Sequence, residues 1–121
     1  MAWEFNREEP VFLQITKRIR RDIISGKYPI DSQIPSVRQI AEMATVNPNT
    51  VQRALLRLED EKLVYSRQTL GRFVTSDSEA IRIAGENELK ELMRRFVCEA
   101  AELGVSIDGL IDFLVKEKEN E

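Results

Sequence analysis

The segment from Asn47 to Glu61 constrains the fold more than any other part of the chain. Asn47 is a residue type that caps helices, and Pro48 suits the first helical position, where its missing N–H costs nothing. At about 100° per residue, apolar side chains fall on one side of this predicted helix and amide and guanidinium groups on the other. The apolar side is Val51, Ala54, Leu55 and Leu58, and the polar side is Asn49, Gln52 and Arg53, flanked by Thr50 and Arg57. A helix over residues 48–61 therefore has to bury one side and expose the other.

Acidic residues avoid this helix. From Met43 to Leu58 there is no Asp or Glu, although the chain of 121 residues has 21 of them. Residues 1–75 carry 12 Lys and Arg against 9 Asp and Glu, and residues 76–121 carry 6 against 12, so the net charge of −3 divides into +3 and −6. A surface that approaches phosphates excludes carboxylates. The first part therefore suits nucleic acid, while the acidic second part either stays off DNA or merely aids solubility.

Two further helices are predicted before this segment. Pro10 opens the first and Gly26 ends it. Ser36 and Gln39 have the spacing of a capping box, which predicts a short helix over residues 37–44. The link between these two helices contains two prolines and is predicted to be a tight connection. The first helix carries apolar residues at three- and four-residue spacing, namely Phe12, Ile15, Ile19 and Ile23.

A β-hairpin is predicted after the third helix. Residues 63–65 and 73–74 are rich in branched and aromatic side chains, and the link between them contains Gly71. Arg67 and Arg72 fall near the tip of this hairpin. The order of a helix, a helix-turn-helix and a hairpin predicts a mainly α fold with a small β-hairpin, the winged helix-turn-helix.

The second part of the chain is predicted to be helical and to pair with a copy of itself. Gly104 ends one long amphipathic helix and Ser106 can cap another, while the charged tail from Lys116 to Glu121 is expected to fray. The 45 residues 77–121 are too few to enclose a ligand pocket of several hundred cubic ångströms. Exposed apolar stripes on two helices favour a homodimer through this arm. The stripes are Leu89, Leu92, Met93, Phe96, Ala100 and Leu103, then Ile107, Leu110, Ile111 and Leu114.

Composition argues against an enzyme. The chain has no His and one Cys, Cys98, so we expect no nucleophilic triad, no metal site and no disulfide. Its five glycines are interpreted as caps and turns, and no catalytic residue or cofactor is predicted. Cys98 is either a redox-sensitive thiol or a small filler on its helix. The N-terminus lacks the features of a signal peptide and no apolar run approaches about 20 residues, which predicts a cytoplasmic protein without a membrane span.

The polar side of the third helix carries residue types that recognise bases. A recognition helix places its N-terminal half in a major groove about 12 Å wide, where Asn and Gln pair with adenine, Arg with guanine, and Thr with a thymine methyl group or a phosphate. Asn49, Thr50, Gln52 and Arg53 are these types. Two alternatives remain at this point: an ordinary amphipathic helix, and a winged-helix adaptor that binds protein without reading DNA and exposes apolar residues on this side.

Four stretches, in the same order, resemble the DNA-binding domain of GntR-type transcription regulators. They are residues 10–15 (PVFLQI), 34–41 (IPSVRQIA), 46–54 (VNPNTVQRA) and 71–74 (GRFV). The string over residues 46–51 and the short helical tail are most similar to the YtrA-like subgroup. The resemblance implies a DNA-binding domain over residues 10–76 and a helical dimerisation arm over residues 77–121.

The resemblance also implies roles for single residues on double-stranded DNA. Arg38 would grip the backbone or a guanine, and the hairpin around Gly71, with Arg67 and Arg72, would be the wing that reaches phosphate or the minor groove. The remaining positions lie at the groove entrance (Asn47, Asn49 and Thr50) or further in (Gln52 and Arg53). The family further implies a regulator, expected here to be a repressor, and a two-fold dimer predicts a near-palindromic operator. No small-molecule effector is identified.

Three positions depart from the family pattern. Lys62 stands where the family commonly has Gly, and Ile30-Asp31 replaces a Pro-Gly pair. Both changes require a residue other than glycine to accept a strained backbone. At the wing tip, Thr69-Leu70 replaces a pair such as Gly-Lys. The wing is therefore expected to contribute less charge to DNA binding.

Overall fold

The computed structural model describes residues 3–121; Met1 and Ala2, which belong to the stretch without signal-peptide features, lie outside the described residues. The described chain consists of five helices and one antiparallel hairpin, in the predicted order. The elements are α1 Val11–Ile24, α2 Val37–Ala44, α3 Pro48–Asp60, β1 Val64–Arg67, β2 Gly71–Val74, α4 Ser78–Glu102 and α5 Ile107–Glu119.

The predicted helix starts of α2 and α3 are confirmed. The Ser36 hydroxyl accepts a hydrogen bond from the Gln39 N–H at 3.1 Å, and the Gln39 side-chain oxygen accepts one from the Ser36 N–H at 2.8 Å. Asn47 caps α3 by accepting from the Asn49 N–H at 2.8 Å, and Pro48 is the first helical residue. Thr45 ends α2 with a left-handed backbone, φ 57°. Local sequence alone therefore places the turn of the helix-turn-helix.

The core of the winged helix forms where α1, α2 and the hairpin meet the apolar side of α3. The four side chains predicted to face inward on α3 are 0% exposed. Burial of this kind stabilises a fold by roughly 1.5–3 kcal/mol for each large aliphatic side chain. The core around them consists of Ile15, Ile19, Ile23, Ile34, Ile40, Ala41, Leu63, Val64 and Val74.

The hairpin has a third, very short partner. Its register pairs Val64 with Val74 and Tyr65 with Phe73, whose rings stack at 5.9 Å. Gln33 forms an isolated bridge to Phe73, and the Ile34 N–H donates to the Arg72 carbonyl at 3.0 Å. The link predicted as a tight connection thus also forms an edge of the sheet. A single bridge leaves no alternating pattern in the sequence from which to predict it.

Two of the departures from the family pattern carry the expected backbone strain. Lys62 has φ 64° and Asp31 has φ 60°, both in the left-handed region that glycine favours. Asp31 also accepts a hydrogen bond from the Tyr65 hydroxyl at 3.1 Å. That bond offsets part of the strain at Asp31 and ties the link to the hairpin.

The chain packs as two compact units, one ending at Gly85 and the other spanning Glu86–Glu121. Helix α4 starts at Ser78, where the Asp77 carboxylate accepts from the N–H groups of Glu79 and Ala80. The first unit includes the first turns of α4, because Ile81 and Ala84 pack against the core. The domain boundary between residues 76 and 77 stays a prediction, and α4 begins two residues after Ser76, at Ser78.

The second unit consists of the rest of α4 and of α5. Gly104, with φ 81°, follows α4, and the Ser106 hydroxyl accepts from the Gly109 N–H at 3.2 Å at the start of α5. The prediction that the tail frays from Lys116 is wrong as far as Glu119, since α5 continues to that residue. Lysines in its last turn complement the partial negative charge at the end of a helix.

No helix within residues 3–121 is both long enough and apolar enough to cross a membrane.

Candidate nucleic-acid interface

The outward side of α3 is exposed and polar. Asn49, Gln52 and Arg53 are exposed and Thr50 is half-buried, while the opposite side of the helix is fully buried. The caps at Asn47 and Pro48 fix where the helix begins, and the core fixes its rotation about its own axis. These two constraints bring four predicted site residues together on one surface. We call Asn49, Thr50, Gln52 and Arg53 the recognition surface.

Asn47 is committed to the helix start. Its side-chain oxygen accepts the Asn49 N–H, and its carbonyl accepts the Thr50 N–H at 3.0 Å. The Asn47 oxygen therefore serves the cap, and the NH₂ of the same amide is the group left for a ligand. Asn47 remains adjacent to the recognition surface, at the N-terminal end of α3, where the helix dipole favours an anion such as phosphate.

Arg53 is held by an aromatic ring from α1. Its guanidinium carbon lies 3.9 Å from the centre of the Phe12 ring, within the range of a cation–π interaction. A guanidinium over a ring can still donate through its N–H edge, which is the edge that makes a two-pronged contact with guanine. Phe12 was recognised in the sequence only as a core residue, because nothing in its spacing indicates a partner so far along the chain.

Arg38, on α2, is exposed and makes a weak local pair. Its Nε lies 3.5 Å from a carboxylate oxygen of Glu42, one turn later. Pairs of this kind between exposed side chains contribute little, about 0–1 kcal/mol, so they exchange readily for a phosphate. Arg38 is not part of the recognition surface, because it belongs to α2, the first helix of the helix-turn-helix, and not to α3.

The tip of the hairpin, residues 68–70, carries no charged side chain. Leu70 is exposed there, and its carbonyl accepts a hydrogen bond from the Gln33 amide. Gly71 has φ 114°, a backbone conformation that favours glycine, and a Cβ at this position would lie 2.8 Å from the Gln33 Nε2, so the Gln33 side chain would have to move. Arg67 is exposed at the end of β1, with its guanidinium 5.0 Å from the centre of the Phe73 ring.

Arg72 lies between the hairpin and α3 rather than at the tip. Its Nε donates to the Glu59 carboxylate at 2.7 Å, and its side chain is only 16% exposed. The Ser66 hydroxyl donates to the same carboxylate oxygen. Burial disfavours the charged form of Glu59, but the hydrogen bonds from Ser66 and Arg72 and the charge of Arg72 outweigh it and lower the pKa of this carboxyl.

The second Arg72 nitrogen approaches the recognition surface. Its Nη2 lies 3.5 Å from the side-chain oxygen of Gln52. This contact could not be predicted from the sequence, since Arg72 and Gln52 are 20 residues apart and belong to a strand and a helix. Only the fold brings them together.

Two of the three acids at residues 59–61, at the end of α3, are paired with arginines. Glu61 accepts two hydrogen bonds from Arg20, each 2.8 Å long, and lies 3.4 Å from Arg57. With Glu59 bound to Arg72, both carboxylates are compensated. Arginine pairing therefore limits the repulsion that these acids would exert on phosphates near the recognition surface.

Residues 3–121 contain no group of three or more His, Cys, Asp or Glu side chains placed to hold a metal ion. Cys98 is an exposed free thiol on α4.

Comparison with known proteins identifies the fold. The family model described as "Bacterial regulatory proteins, gntR family" matches residues 12–74. The HTH-type transcriptional repressor YtrA of Bacillus subtilis is 24% identical over 106 residues, which is 87% of this chain and 82% of YtrA. A GntR family transcriptional regulator from Listeria monocytogenes superposes with a TM-score of 0.84 at 30% identity, covering 93% of this chain and 98% of that one.

One solved relative is bound to DNA. The structure of AraR(DBD) in complex with operator ORX1 superposes with a TM-score of 0.57 at 25% identity, over 62% of this chain and 95% of that one. The family resemblance and the winged-helix fold predicted from the sequence are both confirmed. The relatives are regulators and not enzymes, as also predicted. The chain therefore belongs to the GntR family of transcriptional regulators and carries that family's DNA-binding domain.

Proposed function

We propose that this chain is a homodimeric repressor that binds a near-palindromic operator through α3. The observation that carries the proposal is the recognition surface, which exposes amides and a guanidinium on a helix whose other side is completely buried. Such a helix can enter a major groove without losing any of its packing. In this proposal Arg38, Asn47 and the wing position the domain on the phosphates, and the recognition surface reads bases.

The dimer is supported by the second unit. Leu89, Phe96, Ile111 and Leu114 are each about half exposed in the single chain. Apolar surface on this scale is typical of a contact with another protein. A second copy is the simplest partner, because two identical arms bury identical stripes and place two recognition helices on two half-sites.

Repression and location follow by similarity. YtrA of Bacillus subtilis is a repressor, and this chain spans most of its length. A winged helix that covers an operator blocks transcription without further parts, so repression needs no ligand domain. A regulator of this kind acts where the chromosome is, which places it in the cytoplasm.

Fluorescence anisotropy on duplexes selected from a random pool tests the proposal. We expect specific sites to bind about 10³-fold or more tightly than unrelated DNA, with affinity falling as salt rises. Gln52→Ala is expected to cost about 1–3 kcal/mol and to relax preference at one base pair. Asn87→Ala, which removes an exposed amide from α4, is the matched control and leaves preference unchanged. Binding that ignores both sequence and salt contradicts the proposal.

The alternative function, a winged-helix adaptor that binds protein, requires an apolar and not a polar exposed side of α3. A protein-binding surface would expose apolar residues beside Asn49 and Gln52, and one such residue, Leu56, is 45% exposed there. A single apolar side chain is normal on any protein surface and does not form a patch. If Leu56→Ser leaves DNA affinity and specificity unchanged, the result agrees with the repressor. If the variant loses only the binding of a protein partner, the result favours the adaptor.

A further inference from the structure

Arg72 joins the wing to the recognition surface. One end of its guanidinium is anchored to Glu59 at 2.7 Å, in a site where Ser66 also donates to the same oxygen. Its other end lies 3.5 Å from the Gln52 oxygen. That distance is long for a hydrogen bond, but it is short enough for attraction between a cation and an amide dipole. The contact with Glu59 is the shorter of the two and joins opposite charges, so it holds Arg72 more strongly than the contact with Gln52 does.

A guanidinium determines which way a neighbouring amide points. It has five N–H donors and no acceptor, so an amide facing it turns its oxygen inward and its NH₂ away. For Gln52 this leaves the two Nε2 hydrogens as the groups turned away from Arg72. The reversed amide would set donors against donors beside a positive charge.

We propose that Arg72 is a positioning residue that presents Gln52 to DNA as a hydrogen-bond donor, and thereby selects the base that Gln52 reads. The inference rests on the proposed function, since it assumes that α3 enters the major groove. Two-pronged contact with adenine needs the amide oxygen and NH₂ to face the base together. With the oxygen held toward the wing, Gln52 instead favours guanine, whose N7 and O6 are both acceptors.

Arg67 provides the comparison within the same hairpin. It has the same charge, but it lies over the Phe73 ring and is exposed. A general electrostatic effect of the wing would be shared by the two arginines. An effect on the amide of Gln52 belongs to Arg72 alone.

The test compares Arg72→Met with Arg67→Met by selecting duplexes from a random pool. Selection with Gln52→Ala first identifies the base pair at which Gln52 acts, because preference relaxes there. At that base pair we expect the unaltered protein to prefer guanine over adenine. Arg72→Met is expected to raise affinity for adenine relative to guanine by about tenfold, within the range that a two-pronged base contact provides. Arg67→Met is expected to change affinity on all sequences alike.

A second variant tests the same inference in case Arg72→Met does not fold. If circular dichroism shows that Arg72→Met is unfolded, Glu59→Gln retains a hydrogen-bonding side chain but releases the ionic anchor, and it should shift preference in the same direction by a smaller factor. Adding Gln52→Ala to either variant should abolish the shift.

The outcomes separate this inference from the proposed function. If the unaltered protein binds selected duplexes but prefers adenine at the Gln52 base pair, or if Arg72→Met lowers affinity uniformly and reduces the salt dependence, the inference is wrong and DNA binding stands. If the unaltered protein selects no sequence at all, the proposed function itself fails.

Discussion

The two units of this protein treat their apolar residues in opposite ways. The first, which ends at Gly85, closes a core in which Leu55 and its neighbours on α3 are 0% exposed. The second, from Glu86 onward, leaves large side chains such as Leu114 at 55% exposed. Helices in both units carry apolar residues at three- and four-residue spacing. This spacing alone therefore does not separate a helix that buries its apolar side within its own chain from one that leaves it exposed.

The difference lies in what surrounds each helix. In the first unit α3 is packed by α1, α2 and the hairpin, so that no apolar stripe is left over. In the second unit two helices supply all the packing, and two helices cannot enclose each other. The apolar side chains of the second unit therefore remain exposed in the single chain, which supports the proposed dimer through this arm.

The largest expected effect comes from shortening a leucine in each unit. Leu55→Ala should lower the free energy of unfolding by about 2–5 kcal/mol, because it opens a cavity in a closed core. Leu114→Ala should change it by no more than about 0.5 kcal/mol in the dilute monomer, since the side chain is largely solvated already. Urea unfolding followed by circular dichroism measures both. Equal losses at every protein concentration would remove the distinction between the units.

Charge placed on the exposed stripe should break the dimer without unfolding the winged helix. Phe96, 48% exposed on α4, is the test position. We expect Phe96→Asp to convert a dimer into a monomer in sedimentation equilibrium, since burying a carboxylate without a partner is costly. Operator affinity should fall about 10²-fold or more, because two half-sites no longer bind as one ligand.

The control is Glu91→Gln, a polar change on the other side of the same helix, which should leave association intact. If Phe96→Asp remains a dimer and keeps full affinity, the exposed stripe is not the interface between copies.

Much of the first unit could be predicted from the sequence because its signals are local. The capping box at Ser36, the Asn47-Pro48 start and the inward side of α3 each depend on residues within a few positions of one another, and all are confirmed. The isolated bridge at Gln33 could not be predicted, because one residue has no periodicity. The charged tail from Lys116 has no apolar stripe and is predicted to fray, yet α5 continues to Glu119.

The contacts between side chains of the candidate site and residues distant in sequence could not be predicted from such local signals. Arg53 over Phe12 and Arg72 between Glu59 and Gln52 join residues that are far apart in sequence. Residue types and their positions around the helix predict which residues lie on the recognition surface. They did not give the orientation of its side chains, which depends on how α1 and the hairpin pack on α3.

Two glycines with positive φ allow a finer comparison of the units. Gly71 has φ 114° with the Gln33 Nε2 in the way of a Cβ, whereas Gly104 has φ 81° and nothing within 4 Å. Gly104→Ala should cost about 1 kcal/mol from backbone strain alone. Gly71→Ala should cost about 1 kcal/mol more, because Gln33 must also give up its hydrogen bond to Leu70.

Thermal unfolding of the two variants measures this difference, and Gln33→Ala provides the control. In a Gln33→Ala background, Gly71→Ala should cost about as much as Gly104→Ala, since the obstructing side chain is gone. If the extra cost at Gly71 persists there, its cause is the backbone and not Gln33.

The smallest expected effect is the contribution of the charge of Glu59 to the stability of the first unit, in addition to that of the closed core. The pKa of Glu59 is lowered by Ser66 and Arg72 despite its partial burial, so its ionised form stabilises the fold at neutral pH. This contribution is lost as the pH falls through the lowered pKa, below the ordinary value of about 4.3.

Glu59→Gln has no carboxylate to protonate, so comparing it with the unaltered protein isolates the contribution of ionised Glu59 to stability. Since ion pairs near a surface contribute about 1 kcal/mol or less, we expect Glu59→Gln to be less stable than the unaltered protein by that amount at about pH 7. The difference should shrink toward about pH 3, where the unaltered protein has also lost the pair. Urea unfolding at the two pH values measures it. A difference that does not change with pH would mean that Glu59 stabilises the wing by packing, and that the first unit owes its stability to its core alone.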